Sequence, residues 1–186
     1  MKGIVYTLFN DLVEERFGLA VWDQLLQRCE PASGGIYTAA DTYHDDELVA
    51  MVGELSAITG VPAAALISAF GEFSLPVFAR QFPQLFEGHD AKSLLQSVHE
   101  VIHVEVKKLY PGALPPMFDY EDPAPDRLVM CYRSPRRLCA FAEGLIKGAA
   151  QHYGVVIEQQ HTRCMHRGDD HCRFELSFAG AHVEHG

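Results

Sequence analysis

Apolar residues recur at helical spacing through the first hundred positions and change to strand spacing near the end. Over 4–17, Val5, Leu8, Phe9, Leu12, Val13 and Phe17 fall three or four apart, the mark of an amphipathic helix. Asp45-Asp46-Glu47 opens a second periodic stretch that runs to about Gly60, with acidic residues where a helix start favours them. Val61-Pro62 starts a third, through Ala65, Leu66 and Phe70. Residues 73–86 carry Phe73, Leu75, Phe78, Phe82 and Leu85, with Pro76 and Pro83 expected to interrupt the helix. Residues 91–109 form the longest predicted helix, with Leu95, Val98, Ile102 and Val106 on one side. The proline-rich run YPGALPPMFDYEDPAP cannot be largely helical. Beyond it the pattern predicts a strand over Arg127–Tyr132, a helix over 136–152, and strands over Val155–Arg163 and Cys172–Phe178 that turn at Arg167-Gly168-Asp169-Asp170. The fold class expected is α+β: an N-terminal helical part packed on a C-terminal α/β part with an antiparallel sheet.

Length and composition narrow the class. The chain has 186 residues, of which 48% are hydrophobic and 22% charged, enough apolar residue for a folded core. Its net charge of −10 would be repelled by a phosphate backbone, so no nucleic-acid partner is expected. No apolar run approaches a membrane span, so no membrane partner is expected either. The first residues soon acquire Asp11, Glu14 and Glu15, unlike the apolar stretch of a secretion signal, and the expectation is a cytoplasmic protein. Five cysteines in a reducing compartment point away from a disulfide framework and toward metal ligation, redox sensing or burial.

Two constellations carry chemistry. His99-Glu100-Val101-Ile102-His103 is an H-E-x-x-H string, which on one helix face could hold a zinc ion with Glu100 as general base. A zinc hydrolase of this kind needs a third ligand, and Glu121 is the downstream candidate, in a proline-flanked loop. His161, Cys164 and Cys172 form H-x2-C-x7-C. A hairpin turning about Gly168 sets Cys164 opposite Cys172 on one face. Cys139 could complete a Cys3His set, but His161 would need a bulge to reach that face, and His166 and His171 are alternative nitrogen ligands. A pair of reduced cross-strand thiols, or a thiol redox switch, fits the same spacing. Cys29 and Cys131 have no partners at such spacing and read as structural.

Further residues give these histidines a context. Gly112-Ala113-Leu114-Pro115-Pro116 follows His103, and Tyr132-Arg133-Ser134-Pro135-Arg136, a Y-x-S-x-R string, begins 29 residues after it. With the opening Met1-Lys2-Gly3, this order and spacing resembles the H-NOX family of haem-based nitric oxide and oxygen sensors, over nearly the whole chain. The resemblance implies one domain over 1–178, helical and distal to the haem over about 1–62 and haem-ligating over about 63–178, with haem between the parts and 179–186 a tail. It implies haem b held by His103 as the axial ligand, with His99 incidental. It implies Tyr132, Ser134 and Arg136 on the propionates and Pro116 against the porphyrin. Hydroxyls and a guanidinium suit buried carboxylates, although Ser134-Pro135 would serve equally as a helix start. The positions matching the distal pocket are Val5, Phe9, Ser74, Phe78, Phe141 and Leu145. Oxygen-binding members keep a tyrosine where Phe141 stands, so the expectation is nitric oxide binding without stable oxygen binding, with carbon monoxide also admitted and Tyr6 the one nearby residue able to donate. The resemblance further implies a non-enzymatic domain that signals to a separate sensor histidine kinase or cyclic-di-GMP enzyme. It also implies a structural zinc on Cys139, His161, Cys164 and Cys172.

Overall fold

The computed structural model describes residues 1–179; the expected tail, apart from Ala179, lies outside them. The chain opens with α1 (Gly3–Phe17) and α2 (Leu19–Cys29), then α3 (Asp45–Thr59) and α4 (Ala63–Gln81). The three acidic residues of the first turn of α3 face its positive dipole end, and Gly60, at φ +72°, ends it in the left-handed region. The segment α2 was not expected: its only buried side chains are Trp22 and Leu25, too few to show a period. Helix α4 does not break at Pro76. The proline forgoes the bond to the carbonyl of Glu72 and crowds it, and packing against both cores carries the helix past that point. It ends at Gln81, ahead of a 3-10 turn at Pro83–Leu85.

The predicted helix over 91–109 is three pieces. Asp90 and Ser93 form a capping box that starts α5 (Ala91–Ser97). One π-helical turn follows at Val98–Ile102, closed by the bond from the His103 N–H to the Val98 carbonyl, and α6 (His103–Leu109) completes the run. Such a one-residue insertion is a common device at functional sites.

The sheet is antiparallel with order β1-β2-β4-β3: β1 (Met117–Ala124), β2 (Arg127–Arg133), β3 (Val156–Arg163) and β4 (Cys172–Ala179). Strand β1 overturns the reading of its segment as loop. Its prolines mask an alternation in which Phe118 and Tyr120 point inward, and Pro123 is tolerated because β1 is an edge strand whose register slips between Glu121 and Ala124. The inward face of the sheet buries Leu128, Met130, Tyr132, Phe174 and Leu176 against α7 (Cys139–Tyr153). Strand β4 runs one residue past the expected end, into Ala179.

Two hydrophobic cores result. One lies among α1–α4 and includes Tyr6, Phe9, Trp22, Met51 and Phe70. The other lies between the sheet, α5 and α7. Helices α4 and α7 join them at a distance only glycine permits: a Cβ on Gly144 would stand 1.9 Å from the Ser68 carbonyl oxygen, and one on Gly71 2.2 Å from that of Phe141. Contact on both cores makes α4 apolar around much of its circumference. With 19 residues and a mean hydropathy of 1.2 it has the length and composition of a membrane span, a correction to the expectation that no apolar run would.

Candidate functional site

His103 begins α6 at the end of the π turn, on the side of β1 that carries Phe118, with ring centroids 5.9 Å apart. Its Nδ1 is buried without a hydrogen-bond partner. Burial above all, with His99 and Lys107 adding repulsion, pushes the imidazolium pKa down to about 4, against the pull of the Pro116 carbonyl. The ring is therefore neutral at physiological pH and keeps a lone pair for a metal. His99 is differently placed: its Nδ1 accepts the Phe118 N–H at 3.3 Å. The two imidazoles are 6.3 Å apart, and neither joins a third ligand, since only one cluster of three or more metal-ligating side chains gathers among the described residues and it lies elsewhere. Glu121 is not in a loop but on β1, where it pairs with Arg173 at 2.5 Å. Among the described residues the H-E-x-x-H string thus has no third arm.

At the end of β2 the Y-x-S-x-R residues run from Tyr132, in the sheet core, to Arg136, which reaches the helical half. Tyr132 is buried, and its oxygen accepts the Leu138 N–H at 3.0 Å. Ser134 Oγ accepts the Arg136 N–H at 3.2 Å. Each oxygen thus accepts a backbone N–H, the two hydroxyls lie within hydrogen-bond reach of each other, and a hydroxyl proton can turn to an anion. Arg136 Nε reaches Asp45 Oδ2 at 2.6 Å and its Nη1 the Leu114 carbonyl at 2.6 Å, which leaves three of its five N–H groups. Asp45, at the start of α3, also pairs with the N-terminal ammonium at 2.6 Å. Burial works against its charge, but the bonds from the ammonium and Arg136 prevail and hold its carboxyl below the usual range. In the sequence Asp45 is one of three acidic residues at a helix start and carries no further mark. Its role shows only when the fold brings it to Arg136, 91 positions away.

The residues matched to a distal pocket do not form one uniform wall. Phe9 is fully buried, and Phe9 and Phe141 both pack on Phe70, at 5.5 and 5.0 Å. Val5 and Phe78 belong to the same core, whereas Leu145 packs on the other one. Ser74 is fully buried with its hydroxyl donated to the Phe70 carbonyl at 2.7 Å. In the sequence Phe70 is legible only as an apolar position of a helical period, because one aromatic there has no mark that sets it beside Phe9 and Phe141. Tyr6 is also fully buried: it stacks on Tyr37 at 4.6 Å, and its hydroxyl donates to the His44 carbonyl at 2.6 Å.

The thiols come together as the spacing allows. Strand β3 carries a bulge between His161 and Arg163, which turns His161 and Cys164 to the same face despite their three-residue spacing. With Cys172 from β4 and Cys139 from the first turn of α7, the four ligand atoms lie within 4.8 Å of one another, and Cys139 Sγ is 3.9 Å from Cys164 Sγ. Glu143, one helical turn after Cys139, accepts the His161 Nδ1–H at 2.7 Å, so the buried, unpartnered Nε2 is the free lone pair. Burial and the neighbouring sulfurs push the Cys139 thiol up to about 12. His166 and His171 are taken by other partners, the Arg137 carbonyl and Asp170. Sulfurs on a tetrahedral zinc stand roughly 3.8 Å apart for bonds of about 2.3 Å, and this donor set is of that size and type.

Three comparisons bear on these features. Residues 2–161 match the family model described as Haem-NO-binding. Among solved structures, an H-NOX protein from Shewanella oneidensis in the Fe(II)NO ligation state is 34% identical, with a TM-score of 0.91 over 97% of this chain and all of that one. The Fe(II) unliganded H-NOX protein from K. algicida is 32% identical, with a TM-score of 0.85 over 96% of this chain and 97% of that one. The H-NOX from Shewanella woodyi, solved with IWP-051 bound in the Fe(II)CO state, is 32% identical, with a TM-score of 0.83 over all of this chain and 98% of that one. Among curated proteins, soluble guanylate cyclase gcy-35 of Caenorhabditis elegans is 26% identical over 73 residues, which are 39% of this chain and 11% of that protein.

Proposed function

The chain belongs to the H-NOX family of haem-based gas-sensor domains, and from that premise we propose that it binds nitric oxide at ferrous haem b and forms no stable oxygen complex. Haem, when bound, supplies the iron at which the gas is captured. His103 is the axial ligand, kept neutral by burial. Tyr132, Ser134 and the unused face of Arg136 hold the propionates, and Pro116 bears on the porphyrin. Leu114 and Met117, on either side of that proline, are 71% and 58% exposed, apolar surface that a porphyrin would cover. The haem lies between a distal part of about 1–62 and a ligating part of about 63–178.

The observation that carries gas selectivity is the lack of a free donor among Val5, Phe9, Ser74, Phe78, Phe141 and Leu145. Bound oxygen draws charge and is stabilised by a hydrogen-bond donor, whereas nitric oxide needs none. Phe141 has no donor, Ser74 has given its proton to Phe70, and Tyr6 has given its own to His44. Carbon monoxide, present in the Shewanella woodyi relative, is a further ligand. The domain is a cytoplasmic sensor without catalysis of its own, and it regulates a separate sensor histidine kinase or cyclic-di-GMP enzyme. A zinc ion on Cys139, His161, Cys164 and Cys172 has a structural role, and the same thiols are open to redox sensing once it leaves.

The visible spectrum of the reduced protein tests the reading. A haem band that nitric oxide shifts and air leaves without an oxygen complex is the expected result. A stable oxygen complex would overturn the selectivity, and the absence of any haem band after reconstitution would overturn the sensor. His103→Ala should lose the band that His99→Ala keeps.

A further inference from the structure

Arg137 is one of two residues other than glycine with a positive φ among the described residues, at +51°. A side chain there is strained unless the surroundings impose the conformation. Arg137 follows Arg136 directly, and its N–H closes a turn on the Ser134 carbonyl at 3.1 Å. The contact that holds it comes from a distant segment. His166 Nε2–H donates to the Arg137 carbonyl at 2.7 Å.

His166 lies in the 3-10 turn Met165–Arg167, between Cys164 and Cys172. That turn is built on the hairpin that carries the thiols. The Met165 N–H points at Cys172 Sγ at 3.3 Å, the Arg167 N–H returns to the Cys164 carbonyl at 2.8 Å, and the Cys164 N–H is fixed by Asp169 Oδ2 at 2.7 Å. The place of His166 is thus set by the geometry about Cys164 and Cys172. From Arg137 the chain of contacts continues through Arg136 to Asp45 on α3 and to the Leu114 carbonyl, two residues before Pro116.

We propose that His166 is a positioning residue that joins the cysteine hairpin to the end of β2, holding Arg137 in its left-handed conformation so that Arg136 keeps its aim. The inference rests on the reading of Tyr132, Ser134 and Arg136 as the propionate grip. It adds that the state of the four-residue thiol cluster is transmitted to that grip through one hydrogen bond. Arg137 is the two-state element: with the carbonyl clamped φ is positive, and with the clamp gone the residue relaxes to a negative φ and carries the Arg136 guanidinium with it.

Two measurements at one pH decide this. In the haem-free chain, an intense intraresidue HN–Hα NOE at Arg137 reports the positive φ; it should be strong in the parent, weak in His166→Ala and restored in His166→Gln, whose amide can donate. In the reconstituted chain, haem transfer to an acceptor globin should be roughly fivefold faster for His166→Ala, the effect of losing one hydrogen bond. The same substitution should change nothing when Arg137→Gly is also present, because glycine needs no clamp at this φ. An unchanged NOE in His166→Ala overturns the clamp, and a full effect of His166→Ala beside Arg137→Gly overturns the route through Arg137. If the parent takes up no haem, the grip reading fails by itself, while the NOE still decides the clamp.

Discussion

In the proposed function His103 and Phe141 each concentrate one choice in a single side chain. The imidazole of His103 has an ordinary pKa of 6.5 in the unfolded chain and about 4 in the fold. Between those values the unfolded chain holds more protons, so stability is complete above pH 6.5 and is lost as the pH falls toward 4. A shift of this size corresponds to about 3 kcal/mol. Urea denaturation of the haem-free protein from pH 7 to 4 should show this slope, and His103→Leu should flatten it. Phe141 packs against Phe70 in the helical core, one turn before Leu145. Phe141→Tyr puts a hydroxyl where the proposed pocket has no donor, and the reduced variant should acquire an oxygen complex in air. If its spectrum in air matches that of the parent, Phe141 does not face the gas.

Helices whose apolar faces meet one core were legible, and elements whose shape depends on a neighbour were not. Helix α1, the run of α3 and the strands β3 and β4 follow from periodicity because each has a single buried face, and β2 follows from its unbroken apolar run over 128–132, which is buried on both faces. Helix α2 buries only Trp22 and Leu25, and β1 hides its Phe118/Tyr120 alternation among prolines, so neither has a strong local signal. The π turn before His103 has no signal at all, since its residues suit an ordinary helix. Among site residues, the bulge that aims His161 was demanded by spacing alone, whereas Asp45, Glu143 and His166 act on partners 91, 18 and 29 positions away. The contact between α4 and α7 is likewise invisible before folding, because a glycine in a helix reads only as a weak position. It should now be among the least tolerant. Gly144→Ala drives a Cβ into the Ser68 carbonyl, backbone against backbone, and should cost about 3 kcal/mol. Calorimetry should show a fall in Tm of roughly 10 °C. Gly53→Ala is the matched control: its Cβ would meet nothing within 4 Å, and it should gain about 0.5–1 kcal/mol of helix propensity.

With two cores, the molecule can lose one half before the other, and the cysteine cluster lies wholly in the C-terminal half. It fastens the first turn of α7 to the hairpin of β3 and β4, so a bound zinc would stabilise the sheet with α7 and leave the α1–α3 core to its own contacts. Glu143 orients His161 from α7, and an outer carboxylate of this kind is typically worth 10–100-fold in metal affinity. At a fixed excess of zinc, that loss corresponds to about 1.4–2.7 kcal/mol. Glu143→Gln should therefore lower the Tm of the zinc-loaded protein by roughly 3–10 °C, and the Tm measured in a chelator should change far less. A chelator should also bring the melting of the C-terminal half below that of the α1–α3 core, because the stabilisation it removes lies in that half alone, while the Arg136–Asp45 pair and the α4–α7 contact couple the halves with or without zinc. If parent and variant melt alike with and without chelator, the thiols hold no metal, and the hairpin stands on its hydrogen bonds and its core side chains.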